Sequence, residues 1–191
     1  MGMIIAVKRN YGFLKEDETY GKDTCYLFSR SGENYVDGKI KNLSKGNTEI
    51  VAEYIQECVD VDLFKVETEK EYSNNYIECI EEAKQEIQQD SRPKLKKYLS
   101  DISEYDNIVV AGACWWGTYP MSIFSELEGL DFRGKNVFSI MTHEGSGFGS
   151  SKQSLMIFCK GGNVMNGLAI HGAEVQESKK MIQKWAEENL K

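Results

Sequence analysis

The sequence predicts an α/β fold in which helices cover both faces of a parallel sheet, and three observations carry that prediction. Residues 108–113, inside NIVVAGACWWGTYPM, form an uncharged run that does not alternate, the pattern of a strand covered on both faces. From residue 24 to residue 190, strand-like and helix-like segments take turns, the order of βαβ units whose crossovers return parallel. Three segments that follow strands, 29–48, 114–120 and 142–151, are rich in Gly, Ser, Thr or Trp, as loops at the ligand-binding edge of such a sheet are.

The 191 residues suit one domain with a full core, expected to span 1–191 with its ordered part at about 24–190. Residues 1–22 read as an N-terminal appendage in which 3–7 could be a strand. MGMIIAVKRNYGF has no basic lead-in and no small-residue cleavage site, so a signal peptide is not expected and a cytoplasmic location is. No apolar run approaches the roughly 18 residues of a membrane-spanning helix. A formal charge of -7 disfavours nucleic acid and suits redox partners with basic docking faces. Cys25, Cys58, Cys79, Cys114 and Cys159 are odd in number and contain no CxxC pair, which argues against a disulfide framework and against a metal site.

In chain order, TCYLFS from residue 24 is a short apolar strand that stops at a polar turn, Ser29-Arg30-Ser31-Gly32-Glu33-Asn34. Residues 35–45 read as a loop containing Gly38. A helix follows, with Ile50, Val51, Tyr54 and Ile55 at helical spacing and Asn47 or Thr48 available as its cap. VDLFKVE, residues 61–67, alternates like a half-exposed edge strand. Residues 73–89 place Tyr76, Ile77, Ile80, Ala83, Lys84 and Ile87 at helical spacing, and Asp90-Ser91-Arg92-Pro93 ends that helix. After the central strand, 121–127 is helical, 135–141 is a second buried strand and 153–159 is a helix. The chain closes with a strand at 163–170, broken by Gly167, and a helix at 174–190 with Val175, Met181, Ile182 and Trp185 inward.

The three loops suit different parts of one ligand. Ser29, Ser31, Asn34, Asn47 and Thr48 offer hydroxyl, amide and backbone donors at the start of a helix, where an anion is favoured. Arg30 and Lys45 add the nearby positive charge. Gly112 and Ala113 leave room at the end of the central strand, Cys114 reads as a small buried residue beside the ring, and Trp115 and Trp116 present flat faces. After Thr142, Gly145, Gly147 and Gly149 allow close backbone approach, and Phe148 can close the far side. His143 reads as a hydrogen-bonding scaffold. Neither GxxxxGK[ST] nor GxGxxG after the first strand is present, which counts against ATP and dinucleotides. An anion at one end and a polar-edged planar ring at the other describe a flavin mononucleotide.

FSRSGEN, KGNTE, CWWGTYPM, THEGSGFGSS, SRPKL and NGLAIHG together resemble the flavodoxin family, specifically its short-chain bacterial members. The resemblance implies a three-layer flavodoxin-like sandwich with a five-stranded parallel sheet in order 2-1-3-4-5, noncovalent FMN and a role as electron carrier. It implies FMN contacts from Ser29, Arg30, Ser31, Asn34, Asn47, Thr48, Ala113, Cys114, Trp115, Trp116, Gly117, Thr142, Gly145, Gly147 and Phe148. It further implies that the Gly117 carbonyl can turn toward flavin N5 when that atom gains a proton. Residues 35–45 depart from the family by separating the serine turn from Gly46-Asn47-Thr48, so Asn34 and Asn47 both stand as candidates for the phosphate. The alternatives are an FMN-dependent NAD(P)H:quinone-type oxidoreductase on the same fold, for which no NAD(P)H motif is visible, and a flavin-free phosphate-binding module, against which the strand ends show Ser29, Cys114 and Thr142 where paired Asp would be needed.

Overall fold

The computed structural model describes residues 22–190. The strand expected at 3–7 and the body of the N-terminal appendage lie outside the described residues, and Lys22 already belongs to the first strand. In chain order the elements are β1 (Lys22–Leu27), β2 (Gly32–Val36), β3 (Lys39–Leu43), α1 (Asn47–Gln56), β4 (Val61–Lys65), α2 (Tyr76–Gln88), β5 (Tyr105–Ala113), α3 (Met121–Leu127), β6 (Asn136–His143), α4 (Ser151–Phe158), β7 (Asn163–His171) and α5 (Lys179–Asn189). A 3-10 turn, Gly172–Glu174, links the last two.

Five strands form one sheet in the order β4-β1-β5-β6-β7, and every pairing is parallel. Counted within that sheet, the order is 2-1-3-4-5. β5 feeds both cores, because its successive side chains point to opposite faces. Ile108 and Val110 pack with α3 and α4, whereas Val109 and Ala111 pack with Val51, Ala52 and Ile55 of α1 and Ile182 and Ala186 of α5. β4 is the edge strand, and it does not alternate as expected: Val61 and Phe64 are buried in opposite cores, and Asp62 and Lys65 are exposed. The chain reverses direction in strand order at β1 and β5, so their carboxyl ends diverge and leave a crevice there.

Several expectations need correction. Residues 35–45 are no loop: β2 and β3 form an antiparallel hairpin separate from the main sheet. Its turn residues, Asp37 and Gly38, have φ of 54° and 74°, the paired positive values of a type I′ turn. Helix α1 begins at Asn47 with Gly46 at the cap position, and neither Asn47 nor Thr48 caps it. Ile77 of α2 is 55% exposed, because the face that packs is Cys79 and Ala83. Met181 of α5 is likewise exposed, and α5 starts later than expected, after the 3-10 turn. Gly167 does not end β7. Register against β6 slips there, and the two backbones come so close that a Cβ on Gly167 would lie 1.7 Å from the Ser139 carbonyl oxygen.

Helix α3 carries a buried carboxyl: Glu126 is 4% exposed, and its polar neighbours are the Tyr26 hydroxyl and the Leu99 backbone amide. Burial pushes the Glu126 pKa up, while the Tyr26 hydroxyl and the Leu99 amide oppose the shift too weakly to cancel it. A folded-state pKa above the unfolded one gives stability that is complete at low pH and is lost as pH rises through the folded value. Glu126→Gln, which keeps the shape without the charge, is therefore expected to raise stability at pH 8. The gain should fade as pH drops toward the ordinary carboxyl range, measured by urea unfolding at several pH values; a gain independent of pH would contradict it.

Candidate functional site

The carboxyl ends of β1, β5 and β6 open into a cavity of about 320 Å³, a volume typical of small-molecule sites. Strand ends make its floor: Phe28 and Ser29 after β1, Ala113 and Cys114 at the end of β5, Thr142 and His143 at the end of β6. The hairpin supplies one wall through Asn34, Tyr35, Val36 and Leu43. Helix α2 supplies another through Tyr76, Cys79, Ile80 and Ala83.

One end is built for an anion. The Ser29 hydroxyl accepts from the Glu49 amide at 3.1 Å, standing in for the cap that Gly46 lacks. Gly46 lies so close to this turn that a Cβ would sit 2.3 Å from Ser29 Oγ and 2.5 Å from the Arg30 carbonyl oxygen. Arg30 donates through Nη1 to the Glu33 carbonyl and through Nη2 to the Ser73 carbonyl, which leaves its buried Nε–H with no acceptor among the described residues. Thr48 and Thr142 join α1 to β6 through a buried hydroxyl pair at 2.9 Å. Both candidate asparagines line the cavity, yet each carboxamide is turned to the backbone: Asn34 Nδ2 to the Arg30 and Gly32 carbonyls, Asn47 Nδ2 to the Gly172 carbonyl. Among the described residues Asn47 makes one such bond, which leaves its other N–H without an acceptor there.

The other end is aromatic. Trp115 meets the rings of Phe28 and Tyr72 edge-on at 5.2 and 5.0 Å and is half-buried. Trp116 is 53% exposed; its Nε1–H donates to the Ile80 carbonyl at 2.9 Å, and Lys84 lies 5.4 Å over its ring. Trp115 and Thr118 exchange both backbone hydrogen bonds, so Trp116 and Gly117 form a two-residue turn with φ of 51° and 85°. A bulky residue at positive φ is strained. The anchor to α2 holds it there, above the slot.

The glycine loop is tied to the tryptophan turn. Gly149 packs on Gly117 so tightly that a Cβ would lie 2.2 Å from its carbonyl oxygen, and Ser150 donates to that same oxygen through N and Oγ, at 2.7 and 3.0 Å. The tryptophan turn and the glycine loop are thereby locked together. Ser146 and Glu144 line the cavity from this segment, whereas Gly145 and Gly147 do not. Phe148 packs toward the core beneath Lys152, whose Nζ lies 4.3 Å over its ring. Gly117 and the exposed Ser31 also stand outside the cavity wall.

Of the residues expected at the site, Ser29, Arg30, Asn34, Asn47, Thr48, Ala113, Cys114, Trp115, Trp116 and Thr142 are brought together around one cavity. Sequence reasoning misses the walls made by the hairpin and α2. Asp37-Gly38 between strand-like residues is the readable signal for the hairpin; the α2 wall has the spacing of an ordinary core stripe. Cys79 sits in that wall with its thiol pushed up to about 11 by burial, so it is a neutral wall group. His143 accepts from the Gly145 amide through Nδ1 at 3.0 Å, which puts the proton of the neutral ring on Nε2. Burial, and then the neighbouring His171, keep its pKa low. Glu144 Oε2 accepts from the Asp37 amide at 2.9 Å and so fastens the hairpin tip to the end of β6.

A flavodoxin family model matches residues 39–189. Among solved structures, a provisionally named flavoprotein from Bacteroides uniformis is 24% identical with a TM-score of 0.67, covering 88% of this chain and 99% of its own. Another from Bacteroides eggerthii is 23% identical with a TM-score of 0.67, covering 87% and 96%. A Lactobacillus acidophilus flavoprotein in complex with FMN is 23% identical with a TM-score of 0.60, covering 82% and 97%. None of the curated proteins matches significantly.

The close packing at Gly46 yields a direct test. Gly46→Ala forces a methyl against Ser29 Oγ and the Arg30 backbone and is expected to cost about 2 kcal/mol in chemical unfolding; a stability within about 0.5 kcal/mol of the parent would contradict the tight turn.

Proposed function

Because the chain belongs to the flavodoxin family, we propose that its slot holds FMN noncovalently and that the protein carries electrons between redox partner proteins. The observation that carries this reading is the chemistry of the two ends of one cavity, anion donors at one and aromatic planes at the other. At the anion end, the donor set suits a phosphate: a buried Arg30 Nε–H without an acceptor among the described residues, the Ser29 hydroxyl, and the first turn of α1 with its amides and dipole. The concavity at Gly46 is one that any Cβ would fill. At the ring end, Trp116 and Trp115 offer faces, Tyr35 and Tyr76 line the cavity from the hairpin and α2, and Ala113, Cys114 and Thr142 come from the strand ends. The FMN complex of the Lactobacillus acidophilus relative supports FMN over another planar anion.

When bound, FMN supplies one- and two-electron chemistry at a potential that the protein sets. The chain's own part is to bind, orient and tune. A surface of formal charge -7 opposes added negative charge in the slot, which favours a low potential. Ser150 holds the Gly117 carbonyl through two hydrogen bonds, so a reorientation of this peptide toward a bound flavin would have to give both of them up. Among the described residues no helix is long and apolar enough to cross a membrane.

Titrating FMN into the purified protein is expected to quench its fluorescence and to give one bound flavin with a shifted visible spectrum, reducible in steps by dithionite. Trp116→Ala should weaken FMN at least about tenfold, near 1.4 kcal/mol. Protein that takes up no FMN contradicts the reading. Rapid bleaching of the bound flavin by NADH or NADPH alone would replace the carrier with an FMN-dependent oxidoreductase.

A further inference from the structure

The main sheet has two edges of different character. At one, β4 is five residues long and exposes Asp62 and Lys65, charges of the kind that keep a strand edge from pairing with another chain. At the other, β7 runs for nine residues, Asn163–His171, without Lys, Arg, Asp, Glu or Pro, and its outer side meets no strand among the described residues. Ile170 alone of the nine is buried. The slip at Gly167 is the one guarding device this edge has.

Apolar groups flank this edge on both faces of the sheet, and such surface marks interaction sites. On the α4 face, Phe158 stacks on Phe124 of α3. Met156, two residues earlier and so about 200° round the helix, turns away from α3 toward the edge and is 62% exposed. On the α5 face, Lys179 and Gln183 both bond Glu57 at the end of α1. Met181 lies two residues from each, hence on the side away from α1, and is 46% exposed. Met165 of β7 shares that face, because it pairs with Phe138, whose ring meets Trp185 of α5; it is 41% exposed. Charge thins out along the same stretch. Residues 145–173 contain no Asp or Glu and, of Lys and Arg, only Lys152 and Lys160, in a chain of net charge -7.

We infer that β7 is the seam of a homodimer. Two copies meet edge to edge about a two-fold axis, with their β7 strands antiparallel, their α4 helices side by side on one face and their α5 helices on the other. The occupant of this edge has to pair a strand and cover methionines above and below it; the same edge of a second copy, built in the same three layers, does all of this. Self-pairing suits the charges as well. An acidic chain repels its own copies over most of its surface, and an edge without acids is where that repulsion is least. Contact between identical patches is the ordinary form of a two-fold dimer. The area suffices: nine residues span about 30 Å, and three layers of about 10 Å each make a face of roughly 900 Å², against about 800 Å² per partner in a standard interface. The inference does not depend on what the slot binds.

Sedimentation of the purified full chain tests it. At about 50 μM the mass is expected to be near twice that of the chain, falling toward the monomer below about 1 μM, with or without FMN. Met156→Glu with Met165→Glu sets acids against acids across the seam and should weaken the dimer at least about thirtyfold. Met181→Glu alone, on the other face, should weaken it in the same direction. All three side chains are exposed, and unchanged circular dichroism confirms that each variant still folds. Ile77→Glu, at an exposed apolar residue of α2, should leave the dimer intact. In amide hydrogen exchange, residues 163–171 should slow several-fold as the protein is concentrated across that range. A chain that is monomeric at about 50 μM overturns the inference, and so does a dimer that the double variant leaves alone or that Ile77→Glu breaks. A monomer whose β7 amides are already protected at both concentrations would put some other strand on this edge and likewise overturn it.

Discussion

The Ser29 hydroxyl, gripped by the Glu49 amide with Gly46 pressed against it, is the contact on which the rest of the site depends. It fixes the end of β1 to the start of α1 across the hairpin that intervenes in sequence. With that distance set, Asn47 and Thr48 of the first turn of α1 line the cavity, and the Thr48 hydroxyl falls within 2.9 Å of that of Thr142 at the end of β6. A methyl group at position 46 has nowhere to go. The anion end is therefore a product of backbone approach more than of charge, which explains how an acidic chain can present one with Arg30 as the only cationic wall group among the described residues.

The slot owes its remaining shape to two segments that hold each other. Glu33 of the hairpin supplies acceptors to the N-terminus of α2, Arg30 reaches Ser73 just before that helix, and Tyr35 lies on Tyr76. At its tip the hairpin is held by Glu144. On the opposite side, Ser150 and Gly149 clasp the Gly117 carbonyl, and Trp116 is pinned to the Ile80 carbonyl on α2. Helix α2 thus serves as the common post for both the hairpin and the strained tryptophan turn. A wall assembled this way can hold a planar ligand with little reorganisation.

Much of this is legible in the residues. The uncharged run at 108–113 announces the central strand, because a strand covered on both faces cannot alternate, and β5 does feed two cores. VDLFKVE is legible as a strand but not as one that alternates, because Val61 and Leu63 pack on one side of the sheet and Phe64 and Val66 on the other. Ser29, Thr48, Trp115, Trp116 and Thr142 are legible as a group because loops at one sheet edge must meet, whatever each does singly. The hairpin escapes notice although Asp37-Gly38 is a strong turn signal, since Gly32 and Leu43 at its ends give no clean alternation. The wall formed by Cys79 and Ala83 is not legible, as a stripe facing a cavity has the same spacing as one facing a core. The contact of Gly149 with Gly117 is not legible, because a sequence cannot say what a glycine approaches.

The central claim is that one cavity joins an anion site at Ser29 and Arg30 to a ring site at the tryptophans. The comparison that tests it most directly is the affinity of the purified protein for FMN against riboflavin, which differ only by the phosphate. Tighter binding of FMN by at least about tenfold is predicted from charge-assisted donors at the serine end. Equal affinities, or a preference for riboflavin, would contradict the account.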